Sequence, residues 1–327
     1  MRKASKAGEN MKRILITGST GFVGSNLLRK LVADGSDEIH IFIRRTSNIW
    51  RIQDIIGKIN MHFVDLKERK LVQEEISKIR PDWIFHCATY GAYPSQKDNV
   101  EIITTDFVGT VNLLDACTEQ GFGAFINVGS SSEYGMKNKE MSELDFPDPI
   151  NTYGVAKLAS TYYCRMSSIR YQLPIVTLRI FSAYGYYEEP GRLIPYLITS
   201  MLTDRRIKLA SPNAVRDYVF IEDIVDAFIL AAESAGKLDL GTVLNVGSGT
   251  DSKVIDVFNI LSQMTGYSQE PEITGTPRDS DAAQVWRADK NKIENILGWK
   301  AKNDLVTGLT KTVEWFRRNL SLYIGGE

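Results

Sequence analysis

A glycine-rich turn between an apolar run and a helical pattern is the feature that most constrains the fold of this chain. Residues 12–17 have the length and composition of a buried strand, and residues 22–33 carry apolar side chains at helical spacing. Between them lie Gly18, Gly21 and Gly24. Glycine at these positions permits the tight turn, lets a pyrophosphate approach the backbone and allows the helix to pack closely on the strand. The pattern therefore predicts that a dinucleotide binds at the N-terminus of this helix.

Short apolar runs and helical patterns then alternate through the first half of the chain. Because parallel strands need crossover helices that cover the sheet, this order predicts an α/β fold with a Rossmann-like, doubly wound parallel sheet. Strands are predicted over residues 38–43, 62–65, 83–87, 124–128 and 175–180, and helices over residues 67–79, 99–120 and 153–171.

Prolines interrupt this rhythm beyond Gly185, which predicts a smaller, discontinuous C-terminal lobe for the substrate. Two later segments, residues 219–232 and 243–246, are expected to return to the sheet. We therefore expect a cofactor-binding domain over residues 11–185 with about 219–250, and a substrate-binding lobe over about 186–218 and 251–327. Residues 1–10 are polar and basic, and we expect them to be a disordered extension before an original start at Met11.

The charge balance and the cysteine content exclude several classes of function. The net charge is -1, so no basic surface for nucleic acid or anionic membranes is expected. No apolar run approaches the roughly 18 residues that a membrane-spanning helix needs, and the N-terminal residues lack the apolar stretch of a secretory signal. Cys87, Cys117 and Cys164 are too widely spaced for a disulfide framework or a zinc site, so we expect a cytoplasmic protein without a bound metal.

The end of the second predicted strand indicates which dinucleotide binds. An NAD site usually has Asp or Glu there to bind the ribose 2′-hydroxyl, whereas this chain has Arg44 and Arg45. A guanidinium forms paired, charge-assisted hydrogen bonds with a phosphate. NADP(H) is therefore the predicted cofactor, NAD is the alternative, and two solvated arginines are the competing interpretation. Asp65 and Leu66, which end the third predicted strand, are expected to contact the adenine.

Three side chains have the types and the spacing of a proton-transfer site. Tyr153 and Lys157 are four residues apart and therefore share one face of the predicted helix. A free phenol has a pKa of about 10, which a neighbouring ammonium lowers, so that the phenol becomes an acid or base near neutral pH. Ser130 ends the neighbouring strand and is expected to hydrogen-bond the substrate oxygen with which Tyr153 exchanges its proton. Together with the glycine turn, this catalytic set predicts hydride transfer with a nicotinamide cofactor.

These motifs resemble those of the extended short-chain dehydrogenases/reductases, in the nucleotide-sugar epimerase/dehydratase family. The resemblance covers nearly the whole chain from Lys12 and includes residues 86–89, 109–114, 130–135, 178–179 and 216–219. It implies a nucleoside-diphosphate-sugar substrate and a homodimer formed through the two long helices. It also implies roles for further residues. Cofactor contacts are expected at Thr20, Phe22, Val23 and Ala88, and substrate contacts at Thr89, Tyr90, Ser131, Ser132, Ser182, Arg192, Arg216 and Arg278, the last two for the diphosphate.

Two positions depart from the family pattern, which usually has asparagine where Asp106 and Ser182 stand. In relatives, the asparagine at the second position helps to hold the diphosphate. Serine still donates one hydrogen bond, but with a shorter reach. The departure at Ser182 therefore leaves the pose of the substrate open.

The residues after Ser130 bear on which reaction is catalysed. Dehydratases of this family have an acidic residue two positions beyond the catalytic hydroxyl, where this chain has Ser132. Glu133 lies one position later and, on an extended segment, faces the other way. A 4,6-dehydratase is therefore disfavoured, unless an irregular turn brings Glu133 inward.

Two redox reactions remain, and the arginine pair distinguishes them. NADPH favours net reduction of a nucleoside-diphosphate 4-keto-6-deoxy sugar at C4, whereas a 4-epimerase usually keeps NAD bound. Residues 129–135 are similar to those of GDP-4-keto-6-deoxymannose reductases, and residues 277–300 to those of reductases of CDP- and dTDP-linked 4-keto-6-deoxyhexoses. We therefore expect a 4-ketoreductase, with the NAD-dependent epimerase as the alternative and a non-catalytic NADP-binding sensor as a third interpretation.

Overall fold

The structure, a computed structural model, describes residues 11–35, 37–93, 95–277 and 279–324. At its centre the described residues form a parallel sheet of seven strands. The strands are β1 Arg13–Thr17, β2 Glu38–Ile43, β3 Asn60–Phe63, β4 Trp83–His86, β5 Ala124–Ser130, β6 Ile175–Ile180 and, much later in the chain, β11 Thr242–Val246. Their order across the sheet is β3, β2, β1, β4, β5, β6, β11.

Successive side chains of the central strands alternate between two buried layers. In β1, Ile14 and Ile16 lie in one layer and Leu15 lies in the other, and all three are fully buried. Because both faces of the sheet are covered, its strands read as continuous apolar runs. The predicted α/β fold with a doubly wound parallel sheet is confirmed.

Helices cover both faces of the sheet. The layer that contains Leu15 also contains apolar side chains of α2 and α4, and the layer that contains Ile14 includes those of α1 and α7. The helices are α1 Phe22–Asp34, α2 Arg69–Ile79, α3 Asn99–Ile103, α4 Gly109–Gln120, α5 Thr152–Tyr171, α6 Leu193–Leu202, α7 Ile221–Ser234, α8 Val254–Thr265, α9 Asn291–Leu297, α10 Leu305–Asn319 and α11 Ser321–Ile324.

The segment predicted as one helix over residues 99–120 has an irregular middle. A π-helical turn, Thr104–Val108, separates α3 from α4. Such turns contain an extra residue and are frequent at functional sites. The apolar periodicity predicted the whole segment as helical but gave no sign of the wider turn.

The chain leaves the sheet after β6 and returns to it at β11, as expected for residues 243–246. Between these strands, β7 Ser182–Tyr184 pairs with β10 Tyr218–Phe220, and α7 follows β10 directly. Helices α6, α8 and α10 pack on one another beside the sheet. Short strand pairs complete this region: β8 Lys208–Leu209 with β13 Glu272–Ile273, and β9 Val215–Arg216 with β12 Ser252–Lys253.

Two further findings concern the described residues alone. None of their helices is both long and apolar enough to cross a bilayer. No group of three or more of their His, Cys, Asp or Glu side chains has the arrangement of a metal site. Residues 1–10, predicted to be a disordered extension, and Arg278 lie outside the described ranges.

Candidate active site

A cleft of about 1100 Å³ opens at the carboxyl ends of the central strands. It spans the point where β1 and β4 lie side by side and the order of the strands reverses direction. Ligands of open α/β sheets bind at such a switch point. Most of the predicted site residues line this cleft: Gly18, Thr20, Gly21, Phe22, Val23, Gly24, Arg44, Asp65, Leu66, Ala88, Thr89, Ser130, Ser131, Ser132, Tyr153, Lys157, Ser182, Arg192 and Arg216.

The glycine turn has the geometry that a bound pyrophosphate needs. Gly18 has a φ of 69°, and a Cβ there would lie 2.5 Å from the backbone of Cys87 and Ala88. A Cβ on Gly24 would collide with the carbonyl of Gly18, so only glycine lets α1 pack this closely. Gly21 is the N-cap of α1, and no described side chain caps the helix there. The first N–H groups of α1 are therefore directed into the cleft, where they suit an anion.

The two arginines predicted to bind a 2′-phosphate have different positions. Arg44 lines the cleft together with Ser47 and Asn48, and its Nη1 lies 3.7 Å from Glu101 Oε1. Arg45 is not among the residues that line the cleft, and its guanidinium carbon lies 5.1 Å from the centre of the Phe63 ring. Arg45 lies in the turn that the Ser47 N–H closes on the Arg44 carbonyl at 3.0 Å, and only Arg44 of the pair lines the cleft.

The expected adenine contacts lie beside Arg44. Asp65 and Leu66 follow β3 and line the cleft with Val64. The Asp65 carboxylate accepts a hydrogen bond from the Lys67 backbone N–H at 3.0 Å, which fixes the turn into α2. Contact of these residues with adenine remains a prediction.

The catalytic set lies on β5 and α5, with its lysine buried. Asn151 caps α5 through the Gly154 N–H at 2.8 Å, which fixes the first turn of the helix that carries Tyr153. Lys157 is only 3% exposed, and its Nζ donates to the Val128 carbonyl at 3.0 Å. This Nζ lies 6.0 Å from the centre of the Tyr153 ring. The helical spacing seen in the sequence therefore does bring the ammonium close to the phenol.

A buried chain of hydrogen bonds lies under Lys157. His86 is paired with Thr17 through Nδ1 at 2.7 Å and with Thr110 through Nε2 at 2.8 Å. Thr110 in turn donates to the Asp106 carbonyl at 2.6 Å. Burial, and then the charge of Lys157, lower the pKa of His86 to about 3, so the imidazole is neutral and has a structural role. Burial likewise raises the pKa of the Cys87 thiol to about 12, so this thiol of the cleft is inert at neutral pH.

Glu133 turns away from the cleft and fixes the backbone of the catalytic serine. Its Oε1 accepts from the Ser130 N–H at 2.8 Å, and its Oε2 lies 2.7 Å from Arg179 Nε. Both side chains of this ion pair are buried, at 0% and 4% exposure. A 3₁₀ turn over Ser131–Glu133 follows β5, yet it does not bring Glu133 into the cleft.

The serines after Ser130 are also held by neighbours. Ser130 Oγ accepts from the Ser132 N–H at 3.1 Å. Ser131 Oγ accepts from Trp286 Nε1 at 3.2 Å, across 155 residues of sequence. Trp286 thus joins the C-terminal region to the catalytic strand, and nothing in the local sequence marked it as a site residue.

Some of the residues expected to bind the diphosphate and the sugar line the cleft, and others do not. Arg216 lines the cleft and is paired with Asp281 at 2.5 Å. Ser182 also lines the cleft, and its N–H donates to the Asp217 carbonyl at 2.9 Å. Tyr90 is not among the residues that line the cleft. Arg278 cannot be placed, since it is outside the described residues.

A buried carboxyl of the cleft was not predicted from the sequence. Glu188 is 4% exposed, lines the cleft, and has its Oε1 3.7 Å from Arg192 Nε. Its Oε2 has no hydrogen-bond partner among the described residues. Other cleft residues that the sequence did not single out include Arg51, Gln96, Asp279 and Ser280.

A comparison with known protein families shows to which family this chain belongs. The model of the NAD dependent epimerase/dehydratase family matches residues 14–247. This chain belongs to that family. The epimerase/dehydratase resemblance implied by the motifs is thereby confirmed.

Two relatives in the epimerase/dehydratase family match this chain along almost their whole length. A UDP-glucose 4-epimerase of Mycolicibacterium smegmatis is 28% identical over 314 residues, which cover 93% of this chain and 98% of that protein. A probable dTDP-glucose 4,6-dehydratase of Sinorhizobium fredii is 25% identical over 329 residues, which cover 94% and 93%. The relatives therefore include enzymes named for two different reactions on nucleotide sugars.

Solved structures of this fold contain ligands of the expected kind. The UDP-glucose 4-epimerase of Thermotoga maritima, in complex with UDP-glucose, has a TM-score of 0.86 and 28% identity, and covers 94% of this chain and 99% of its own. MoeE5 in complex with UDP-glucose and NAD has a TM-score of 0.83 and 28% identity, and covers 94% and 100%. Both structures therefore contain a nucleotide sugar and MoeE5 also contains NAD, and they leave the choice between NAD and NADP open for this chain.

Proposed function

We propose that this protein uses NADPH to reduce the C4 ketone of a nucleoside-diphosphate 4-keto-6-deoxy sugar. The observation that carries the direction of the reaction is the end of β2, where Arg44 lines the cleft at the position that a carboxylate occupies in typical NAD sites. The chemistry rests on the second half of the site, where Ser130, Tyr153 and Lys157 line the same cleft.

Ser130, Tyr153 and Lys157 have separate roles in the protonation of the substrate. When bound, the nicotinamide cofactor supplies a hydride to C4 of the sugar. Ser130 and Tyr153 hydrogen-bond the ketone oxygen, and Tyr153 gives its phenolic proton to that oxygen. Lys157 stabilises the phenolate that remains; one of its three N–H donors is bound to Val128, which leaves two for the phenol and the cofactor ribose.

The residues around the glycine turn fit a dinucleotide, and those around Arg44 fit one with a 2′-phosphate. Gly21 leaves open space for the pyrophosphate, since among the described residues only the Gly18 carbonyl, at 3.2 Å, lies near the point that a Cβ would occupy. Arg44 is half exposed, so its guanidinium is free to move from Glu101 to a phosphate. The hydroxyl of Ser47 accepts from the Arg44 N–H at 3.0 Å and lines the cleft beside it.

Arg44 and Arg45 offer a matched pair of variants to test the cofactor. Arg44→Ala is expected to weaken NADPH binding by about 10- to 100-fold and NADH binding by less than about 2-fold, because a charge-assisted hydrogen bond contributes roughly 1.5–3 kcal/mol. Arg45→Ala is the control and is expected to leave both affinities unchanged. Fluorescence titration with NADPH and with NADH measures both dissociation constants for the wild type and for each variant. Equal losses in the two variants, or wild-type preference for NADH, would contradict the proposal.

A 4-epimerase is the second candidate, and the relatives favour it. The proteins with 28% identity include UDP-glucose 4-epimerases, and MoeE5 is described with NAD. An epimerase shares the same Ser–Tyr–Lys set but returns its hydride to the substrate. Turnover of a nucleoside-diphosphate hexose with NAD and no added reductant supports this candidate, whereas stoichiometric consumption of NADPH by a 4-keto sugar supports the reductase.

The geometry gives little support to a 4,6-dehydratase. That reaction needs an acidic group beside the sugar at the position of Ser131 or Ser132, and serine has no suitable pKa. The nearest carboxyl in sequence, Glu133, is bound to Arg179 and to the Ser130 N–H outside the cleft.

We further propose that the chain forms a homodimer through α3, α4 and α5. Large apolar side chains are exposed on α3, on the π-helical turn that precedes α4 and on α5, and exposed apolar patches mark interaction surfaces. Sedimentation measurements test this assignment, since a monomer at micromolar concentration contradicts it. The exposed side chains include Val100, Ile103, Val108, Val155, Tyr162, Met166 and Ile169.

A further inference from the structure

The loop after β4 presents a threonine hydroxyl to the cleft, and a buried carboxylate controls that hydroxyl. Thr89 is exposed and lines the cleft. Its Oγ1 lies 3.0 Å from Asp106 Oδ2. The other oxygen, Oδ1, accepts from the Tyr90 N–H at 2.7 Å. Asp106 itself is 1% exposed.

Asp106 lies in the π-helical turn between α3 and α4, where side chains of α4 and α5 hold its backbone. It is the middle residue of Thr104–Val108. Its carbonyl accepts from Thr110 Oγ1 and from Ser160 Oγ, each at 2.6 Å. Ser160 belongs to α5, one turn beyond Lys157, so the position of Asp106 is fixed from both helices.

The two bonds of the carboxylate determine the direction of the Thr89 hydroxyl. A carboxylate accepts hydrogen bonds and has no proton to give. While Asp106 is ionised, the Thr89 proton therefore points at Oδ2, and only lone pairs of Oγ1 are left for the cleft. Burial raises the pKa of Asp106, while the charge of Lys157 and the two donors lower it in part.

We propose that Asp106 makes Thr89 a hydrogen-bond acceptor, so that the ligand group bound at Thr89 is a donor such as a hydroxyl or amine, and a ketone, carboxylate or phosphate oxygen is disfavoured there. Asp106 is thus a positioning residue that acts through Thr89. This inference deepens the proposed function and rests on it for the identity of the sugar. The donor is a hydroxyl either of the sugar or of the cofactor ribose, because Thr89 lies next to Ala88, which also lines the cleft.

Two isosteric substitutions test the proposal. Thr89→Val removes the hydroxyl. Asp106→Asn keeps an oxygen that accepts from the Tyr90 N–H, but its NH₂ group now donates to Thr89 Oγ1. The threonine hydroxyl then directs its own proton into the cleft. Both variants are expected to weaken binding of a ligand with a donor at this point by about 5- to 10-fold, the value of one neutral hydrogen bond. Thr89→Ser is the matched control and is expected to bind as the wild type does.

The probes separate the two sources of the hydroxyl. Calorimetry uses NADPH alone and, separately, whichever of UDP-, GDP-, CDP- and dTDP-glucose binds most tightly, with its 2-deoxy and 3-deoxy analogues. Loss of affinity for the glucose nucleotide, and no loss for the deoxy analogue that lacks the contacting hydroxyl, assigns the donor to the sugar. Loss of affinity for NADPH alone assigns it to the ribose. These binding measurements require no turnover. Failure of the protein to reduce a 4-keto sugar would therefore contradict the proposed function without affecting the assignment of the Thr89 contact.

A double-mutant cycle distinguishes positioning from a general structural role. If Asp106 acts through Thr89, Asp106→Asn causes no further loss of ligand affinity in a Thr89→Val background. The inference is overturned if Thr89→Val binds NADPH and the glucose nucleotide like the wild type. It is equally overturned if Asp106→Asn has its full effect in the double variant.

Discussion

The buried carboxyl of Glu188 provides a prediction whose magnitude follows from the structure. Burial raises the pKa of Glu188 from 4.5 to about 8, and the charge of Arg192 and the Gly185 N–H offset this only in part. With one oxygen unpaired and the side chain almost inaccessible, the protonated form is the favoured one in the folded protein.

The sign of the effect on stability follows from proton linkage. Between pH 4.5 and about 8 the folded protein binds the Glu188 proton more tightly than the unfolded chain does, so this group makes the free energy of unfolding fall as the pH rises. At about 1.4 kcal/mol per pH unit, the loss is roughly 2 kcal/mol at about pH 6 and at most about 5 kcal/mol above pH 8.

Glu188→Gln mimics the protonated acid and removes this titration. We expect the variant to match the wild type at about pH 5 and to exceed its unfolding free energy by about 3–5 kcal/mol at about pH 9. Urea unfolding curves at several pH values measure the difference, which cancels the titration of all other groups. Glu140→Gln, at an exposed side chain, is the control and should show no such trend. A difference that does not change with pH, or a variant less stable than the wild type at high pH, would refute the reasoning.

Three further predictions concern the catalytic strand and the glycine turn. Tyr153→Phe should leave the affinity for NADPH within about 2-fold and lower kcat by about 10²- to 10⁴-fold, as rapid-mixing kinetics will show, and retained turnover would contradict the assigned role. Glu133→Gln should lower the free energy of unfolding by about 3–5 kcal/mol because it leaves the buried Arg179 charge unpaired, whereas Glu140→Gln should cost less than about 1 kcal/mol in the same urea assay. Gly18→Ala should weaken binding of NADPH and NADH alike and lower Tm, since its Cβ meets the backbone that follows β4; an unchanged Tm would count against the close approach.

The sequence was sufficient for the parts of the site that depend on local geometry. The glycine turn is defined by a strand, a tight turn and a helix that follow one another, and the pairing of Tyr153 with Lys157 requires only helical spacing. Both are as predicted. The alternation of strands and helices likewise sufficed for the doubly wound sheet, because crossover rules leave few other arrangements.

Contacts between distant segments were beyond the sequence patterns. Trp286 reaches Ser131 and Asp281 pairs with Arg216 only because the chain returns to the cleft after a long excursion. The arginine pair shows another limit: both guanidiniums were predicted to bind the 2′-phosphate, whereas only Arg44 lines the cleft. The π-helical turn at Asp106 was likewise missed, because residues 99–120 were predicted as one regular helix.

The fate of the hydride is the most direct test of the proposed reaction. Purified protein is mixed with a nucleoside-diphosphate 4-keto-6-deoxy sugar and NADPH that carries deuterium on the transferable position, and the product is examined by mass spectrometry and NMR. The proposal predicts one deuterium at C4 of the sugar for each NADPH oxidised, with NADH much less effective. Unlabelled product, formed with bound NAD and no net oxidation of NADPH, would contradict it and establish an epimerase instead.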